Sequence, residues 1–245
     1  MINLIIDIGN SRTKIALFNQ HDLMFNVPLD NLTIEHVKML KDEHPQLNKV
    51  ILSSVKDRDI ELIEFLSSNF DFFLELDHLT SFPLENLYET PETLGKDRLA
   101  AAVGANELFP DQNLLVIDAG TAITYDLVTE TNQYLGGNIS PGLQMRFKAL
   151  NQFTGKLPLI SASDDVQMFG KNTTDAIRAG VQNGMIYEIS QTIDIFNRNY
   201  QNLQIIMTGG DCDFFDKKLN YSIFVNFNLT LIGLNRILEH NAKEK

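Results

Sequence analysis

Apolar positions along the chain come in short runs that end in polar turns, and the first turn is acidic. Leu4-Ile5-Ile6 leads into Asp7-Ile8-Gly9-Asn10-Ser11, and Thr13-Lys14-Ile15-Ala16-Leu17-Phe18 leads away. The pattern predicts strands over 2–8 and 13–18 joined by a tight turn, with a third strand over Leu23–Val27. Thr33–Lys41 has helical spacing, Val50–Val55 reads as a buried strand, Ile60–Leu66 as a helix and Phe72–Leu76 as a short strand. This β-β-β-α-β-α-β order implies a mixed sheet with helices on its faces. The passage His78–Leu94, broken by Pro83 and Pro91, is long for a loop in a compact domain, and such loops more often carry function.

The plan then repeats. Val116-Ile117 delivers Asp118, the chain bends at Gly120-Thr121, and Ala122–Val128 leaves with β-branched and aromatic side chains. Strands are expected over 114–118, 121–128 and 133–139, helices over Leu143–Asn151 and from about Thr173 to Asn199, then strands Leu203–Met207 and Ile223–Val225 and a last helix Leu229–His240. Two hairpins of one form, half a chain apart, imply a duplicated α/β domain with two acidic turns facing one cleft. The boundary is placed at Leu114, giving halves 1–113 and 114–245. Between them a helix from Leu94 to about Phe109 carries Ala100, Ala101, Ala102, Gly104 and Ala105, small enough for another helix or subunit to approach closely.

Bulk properties narrow the class. With 245 residues, 44% hydrophobic content and a mean hydropathy of -0.10, the chain reads as an ordinary globular protein with a sizeable core. A formal charge of -12 disfavours nucleic acid as a partner, since phosphate backbones need a basic face. No apolar run reaches membrane-spanning length, so no membrane role is expected. The single Cys212 excludes an internal disulfide and fits a cytoplasmic protein.

The acidic turns suggest chemistry. Glycine allows backbone N–H groups near a phosphate, and Asn10, Ser11, Thr121 and Thr124 add donors while Lys14 adds charge. A carboxylate repels phosphate, so Asp7 and Asp118 are expected to direct cations, with Asp7 orienting Mg2+. Either turn alone would pass as an ordinary hairpin. Thr208-Gly209-Gly210-Asp211 could let a base or ribose lie on bare backbone, or could be a plain turn. In Gly95-Lys96-Asp97-Arg98, a carboxylate beside an arginine can accept a proton from a hydroxyl while the arginine binds an anion; it could equally be an acidic residue stabilising a helix start.

These motifs together resemble the type III pantothenate kinases of the actin-like ATPase superfamily. Asp7–Ser11 and Asp118–Asp126 are similar to its two phosphate motifs, and Gly95-Lys96-Asp97-Arg98 to its Gly-x-Asp-Arg. Gly136-Gly137-Asn138-Ile139-Ser140-Pro141-Gly142 is similar to its Gly-Gly-x-Ile-x-Pro-Gly, Thr208–Asp211 to its adenosine motif, and Gly233-Leu234-Asn235 to its closing helix. The resemblance implies duplicated actin-like ATPase (ribonuclease H-like) domains, each with a mixed five-stranded sheet, and a nucleotide cleft between them. It implies transfer of the ATP γ-phosphate to pantothenate, the first step of coenzyme A synthesis. By the same resemblance, ATP is held by Asp7, Ile8, Gly9, Asn10, Ser11, Arg12, Thr13, Lys14, Thr121, Gly209 and Gly210. Asp97 is the proton acceptor; Tyr88, Gly95, Lys96, Asp97, Arg98 and Thr173 bind pantothenate. Asp118 holds a monovalent cation, K+ or NH4+, beside the Mg2+ at Asp7. A homodimer with pantothenate near its interface is also implied. Without the resemblance Tyr88 reads as a packing residue and Thr173 as a helix cap. Gly155, where alanine is expected, and Cys212 depart from the pattern. The competing readings are a non-catalytic nucleotide-binding accessory protein on the same scaffold and a kinase or phosphatase for another substrate, such as a sugar or acetate.

Overall fold

In the computed structural model, which describes residues 2–9 and 12–243, the chain divides into two compact units. One holds the chain up to Leu108 together with the stretch from Asn228 onward; the other is Phe109–Phe227. Asn10 and Ser11 of the first acidic turn lie outside the described residues.

The first unit is built on β1 (Ile2–Ile8), β2 (Thr13–Asn19), β3 (Asp22–Leu29), α1 (Ile34–Glu43), β4 (Leu47–Ser54), α2 (Ile60–Asn69) and β5 (Phe72–Glu75). Its sheet runs β3-β2-β1-β4-β5, with β1, β2 and β3 antiparallel and β1, β4 and β5 parallel. Successive side chains on a strand point to opposite faces, and β1 uses both. Leu4 and Ile6 pack with Val37 and Leu40 of α1 and Leu62 and Leu66 of α2. Asn3 turns the other way and bonds to the last helix.

The passage before Lys96 contains a two-residue strand β6 (Glu85–Asn86) and a single 3-10 turn, Pro91–Thr93, followed by α3 (Lys96–Leu108). The unit closes with α7 (Leu229–Lys243), packed on α3. A Cβ on Gly104 would lie 2.2 Å from the Leu229 carbonyl oxygen, and one on Gly233 would lie 1.7 Å from that of Ala100. The small residues of α3 are therefore used by a helix of the same chain. Asn235 fixes the rotation of α7: its Oδ1 accepts from Asn3 Nδ2 at 2.8 Å and its Nδ2 donates to the Gln20 carbonyl at 2.8 Å. Glu239, one helical turn on, accepts from Asn3 at 2.7 Å and from Lys49 at 3.1 Å. Hydrogen bonding and the Lys49 charge outweigh burial and hold the Glu239 carboxyl below its ordinary range. The expected boundary at Leu114 puts this helix in the second half, but α3, β1 and β4, on which it packs, and Asn3, Gln20 and Lys49, to which it bonds, belong to the first unit.

The second unit contains β7 (Leu114–Ala119), β8 (Ala122–Val128), β9 (Gln133–Pro141), α4 (Leu143–Gln152), α5 (Thr173–Asn199), β10 (Gln204–Thr208), a short α6 (Cys212–Asp216) that the sequence pattern had not shown, and β11 (Ile223–Val225). Its strands run β9-β8-β7-β10-β11 with the same alternation of directions as the first sheet. The duplication therefore extends from motif to topology. α5 buries Ile177, Val181, Met185, Ile189 and Ile193, a stripe at four-residue spacing, against Leu115, Ile117 and Tyr125 of the sheet.

Candidate active site

Asp7 ends β1, and the register sets Lys14 of β2 on one side of it and Ser53 of β4 on the other. Ser53 is buried and its hydroxyl hydrogen-bonds the Asp7 carboxylate. Burial pushes the Asp7 carboxyl from 3.8 up to about 6; the Lys14 charge opposes this, the Asp97 charge adds to it, and the Ser53 bond opposes it. A carboxylate raised by burial and a second carboxylate is suited to a cation, whose charge relieves both. Among the described residues no three His, Cys, Asp or Glu side chains converge, so an ion at Asp7 would keep most of its water and phosphate ligands, as Mg2+ does.

Between pH 3.8 and about 6 the folded protein keeps the Asp7 proton that the unfolded chain has released, so stability falls as pH rises through that window. Asp7→Asn is therefore expected to stabilise the ligand-free protein by about 3 kcal/mol at pH 7 to 8, with the gain vanishing below about pH 4. Urea melts across this range check it; a variant less stable than wild type at pH 8 would contradict the account.

In each turn the glycine amide bonds back to the chain that leaves it, three residues on in the first and two residues on in the second. The Gly9 N–H donates to the Arg12 carbonyl at 3.0 Å, and the Gly120 N–H donates to the Ala122 carbonyl at 3.1 Å. Both glycine amides therefore point into their own turns. Arg12 is exposed, Thr13 buried, and Ile8 and Thr13 line one cavity with Ser54 and Lys96.

Gly95-Lys96-Asp97-Arg98 stands at the start of α3. Lys96 Nζ donates to the Ser54 carbonyl at 3.3 Å, which ties the helix start to the end of β4. Asp97 is exposed, and its Oδ1 accepts the Arg98 N–H at 2.9 Å. A Cβ on Gly95 would stand 2.6 Å from that same Oδ1, so glycine is what leaves room for the carboxylate. Arg98 is buried, with its guanidinium 5.8 Å from the centre of the Tyr88 ring. Tyr88, Gly95, Lys96, Asp97 and Arg98 are thus brought together, with Asp97 near enough to Asp7 for its charge to be felt there.

Asp118 occupies in the second unit the place of Asp7 in the first, flanked in register by Thr124 of β8 and Thr208 of β10. Gly209, at φ +97°, lies against it: a Cβ there would be 2.5 Å from Asp118 Oδ1. The Asp211 N–H donates to the Ala119 carbonyl at 2.9 Å, so the Thr208–Asp211 segment is bonded to the end of β7. A Cβ on Gly210 would meet no atom within 4 Å, leaving its surface open. From the other side the Gly142 N–H donates to the Thr121 carbonyl at 3.1 Å. A carboxylate among closely packed backbone carbonyls is a donor set that suits a weakly hydrated monovalent cation.

Thr173 is the first residue of α5 and is exposed. It is not the cap: Asn172 is, its Oδ1 accepting the Asp175 N–H at 2.9 Å. The sequence reading missed Ser53. Its signal was a polar residue at the end of the apolar run Val50-Ile51-Leu52, where ligands gather beyond the carboxyl ends of parallel strands.

The Type III pantothenate kinase family model matches residues 3–195. A type III pantothenate kinase of Phocaeicola vulgatus is 47% identical over 244 residues, covering 99% of this chain and 100% of that one. The chain belongs to the type III pantothenate kinase family. A family member from Christiangramia forsetii is 44% identical, with 99% and 100% of the two chains covered. Among solved structures, a glucokinase from an Antarctic psychrotroph superposes with a TM-score of 0.55 at 12% identity, covering 98% of this chain and 99% of that one. A ROK family protein from Streptococcus pneumoniae gives 0.53 at 14%, with both chains fully covered. At such identities these likenesses speak for the fold alone, the duplicated actin-like ATPase fold.

Proposed function

We propose that this protein transfers the γ-phosphate of ATP to the primary hydroxyl of pantothenate, giving 4'-phosphopantothenate and ADP. One observation carries the reading. Asp97, exposed at the start of α3, stands beside buried Arg98 and within electrostatic reach of Asp7, so an acceptor base and a metal-directing carboxylate belong to one cluster. A pure nucleotide binder has no use for that pairing, and no observation favours the accessory-protein reading.

In this mechanism Arg98, Lys96, Gly95 and Tyr88, with Thr173, bind pantothenate, and Arg98 supplies the charge for its anionic end. Asp97 takes the hydroxyl proton as the new O–P bond forms and the β–γ bridge breaks. The transition state is loose, so a weak base held in place is sufficient. Asp7 would hold Mg2+ and Asp118 a monovalent cation, K+ or NH4+; these ions supply charge neutralisation at the phosphates. Ile8, Gly9, Asn10, Ser11, Arg12, Thr13, Lys14 and Thr121 are assigned to the ATP phosphates, with Gly209 and Gly210 assigned to adenosine.

The proposal extends to a cytoplasmic homodimer. Because α7 covers the small face of α3, the proposed dimer uses another surface. The duplicated halves are proposed to follow the two units, the first taking in the last helix as well. The reaction itself is the test: ATP-dependent phosphorylation of pantothenate is expected in K+ or NH4+ and to fall at least about tenfold in Na+ alone.

A further inference from the structure

We propose that Arg146 is a positioning residue for the second acidic turn, holding the Ser140-Pro141-Gly142 segment, where β9 ends, against Gly120-Thr121. None of the motifs includes it. Arg146 lies on α4, and its guanidinium reaches back over the helix start. Its Nε donates to the Pro141 carbonyl at 2.8 Å and its Nη2 to Ser140 Oγ at 2.9 Å. The same Nη2 donates to Glu188 Oε2 on α5. Glu188 in turn accepts the Tyr125 hydroxyl through Oε1 at 3.2 Å. Tyr125 is buried on β8, and both burial and the Glu188 charge raise its phenol, so it remains a donor.

The network therefore joins three elements to one short segment. Its anchor is rigid: Tyr125 belongs to the core formed by β7, β8 and α5. Its output is the Gly142 backbone, whose N–H bonds the Thr121 carbonyl. The contact is too close for a side chain, since a Cβ on Gly142 would lie 2.3 Å from the Gly120 carbonyl oxygen and 2.4 Å from that of Thr121. A shift of this segment would therefore press on Gly120-Thr121, the turn that follows Asp118. Only the planar fork of arginine reaches two acceptors on the segment while also pairing with Glu188; a lysine can keep the charge pair but not the fork.

The inference rests on the reading of Asp118–Thr121 as the cation and phosphate turn, and the test separates the two. Arg146→Lys and Arg146→Met are compared with wild type by amide hydrogen exchange at Gly120 and Gly142, by K+ activation of turnover and by thermal midpoint. Both variants are expected to exchange these amides about tenfold faster and to need about tenfold more K+, with the KM for pantothenate unchanged. Arg146→Lys is expected to keep the wild-type midpoint. Wild-type exchange and K+ response in Arg146→Lys would overturn the proposal, leaving Arg146 as a partner of Glu188 in a stabilising ion pair. Should wild-type enzyme show no response to monovalent cations, the cation role of Asp118 falls, while exchange at Gly120 and Gly142 still decides the role of Arg146.

Discussion

Asp97→Asn is expected to lower kcat for pantothenate phosphorylation by about 10³-fold while leaving the fold and ATP affinity in place. The substitution is nearly isosteric. Asparagine Oδ1 can still accept the Arg98 N–H, and Gly95 still leaves room for the side chain. On the proposed mechanism, what is lost is the site that receives the hydroxyl proton. Because Asp97 is exposed, its replacement leaves no buried group unpaired, and the thermal midpoint should move by less than about 2 °C. Steady-state kinetics with a midpoint measurement separate the possibilities. A variant with near-normal kcat removes Asp97 as the base. A variant that loses stability along with activity points to a structural role at the start of α3.

Gly233→Ala has the largest expected effect on stability. The added methyl would stand 1.7 Å from the Ala100 carbonyl oxygen, and that oxygen is backbone. Rotating a side chain away cannot relieve the clash, so α7 must move off α3. That movement strains the Asn235 bonds to Asn3 and Gln20, which are buried or partly buried. A cost of about 4 kcal/mol or more is expected, a fall of about 10 °C in the thermal midpoint. Gly155→Ala is the control, because a Cβ there would meet nothing within 4 Å; its stability should stay within about 0.5 kcal/mol of wild type. A Gly233→Ala midpoint within about 2 °C of wild type would mean that the α3–α7 contact is looser than the structure has it.

Most of the fold was readable because its signals are local. An apolar run ending in Asp-x-Gly, followed by a β-branched run, states strand, turn and strand within about fifteen residues. Two such statements gave the duplication, and Asp7, Asp97 and Asp118 were each recognisable by position within a local pattern. What the sequence did not state was long-range. Nothing near Ser53 says that a register will set it beside Asp7, and nothing near Gly233 says that Ala100 is its neighbour. The last helix was placed in the wrong unit for the same reason: its helical spacing is local information, whereas its partners Asn3, Gln20 and Ala100 lie more than a hundred residues away. The helix cap at Asn172 and the inward-pointing amides of Gly9 and Gly120 are smaller cases, in which a choice between adjacent donors or acceptors is settled by backbone geometry.

The central claim is that this site phosphorylates pantothenate, and the most direct measurement is product identity in a panel of hydroxyl acceptors. Wild-type protein with ATP, Mg2+ and K+ is incubated separately with pantothenate, a hexose and acetate, and the products are read by mass spectrometry. The account predicts a phosphorylated product from pantothenate, formed with stoichiometric ADP, and turnover at least about 10²-fold slower with the other two. ATP binding with no transfer to pantothenate, or faster transfer to either alternative acceptor, would contradict it.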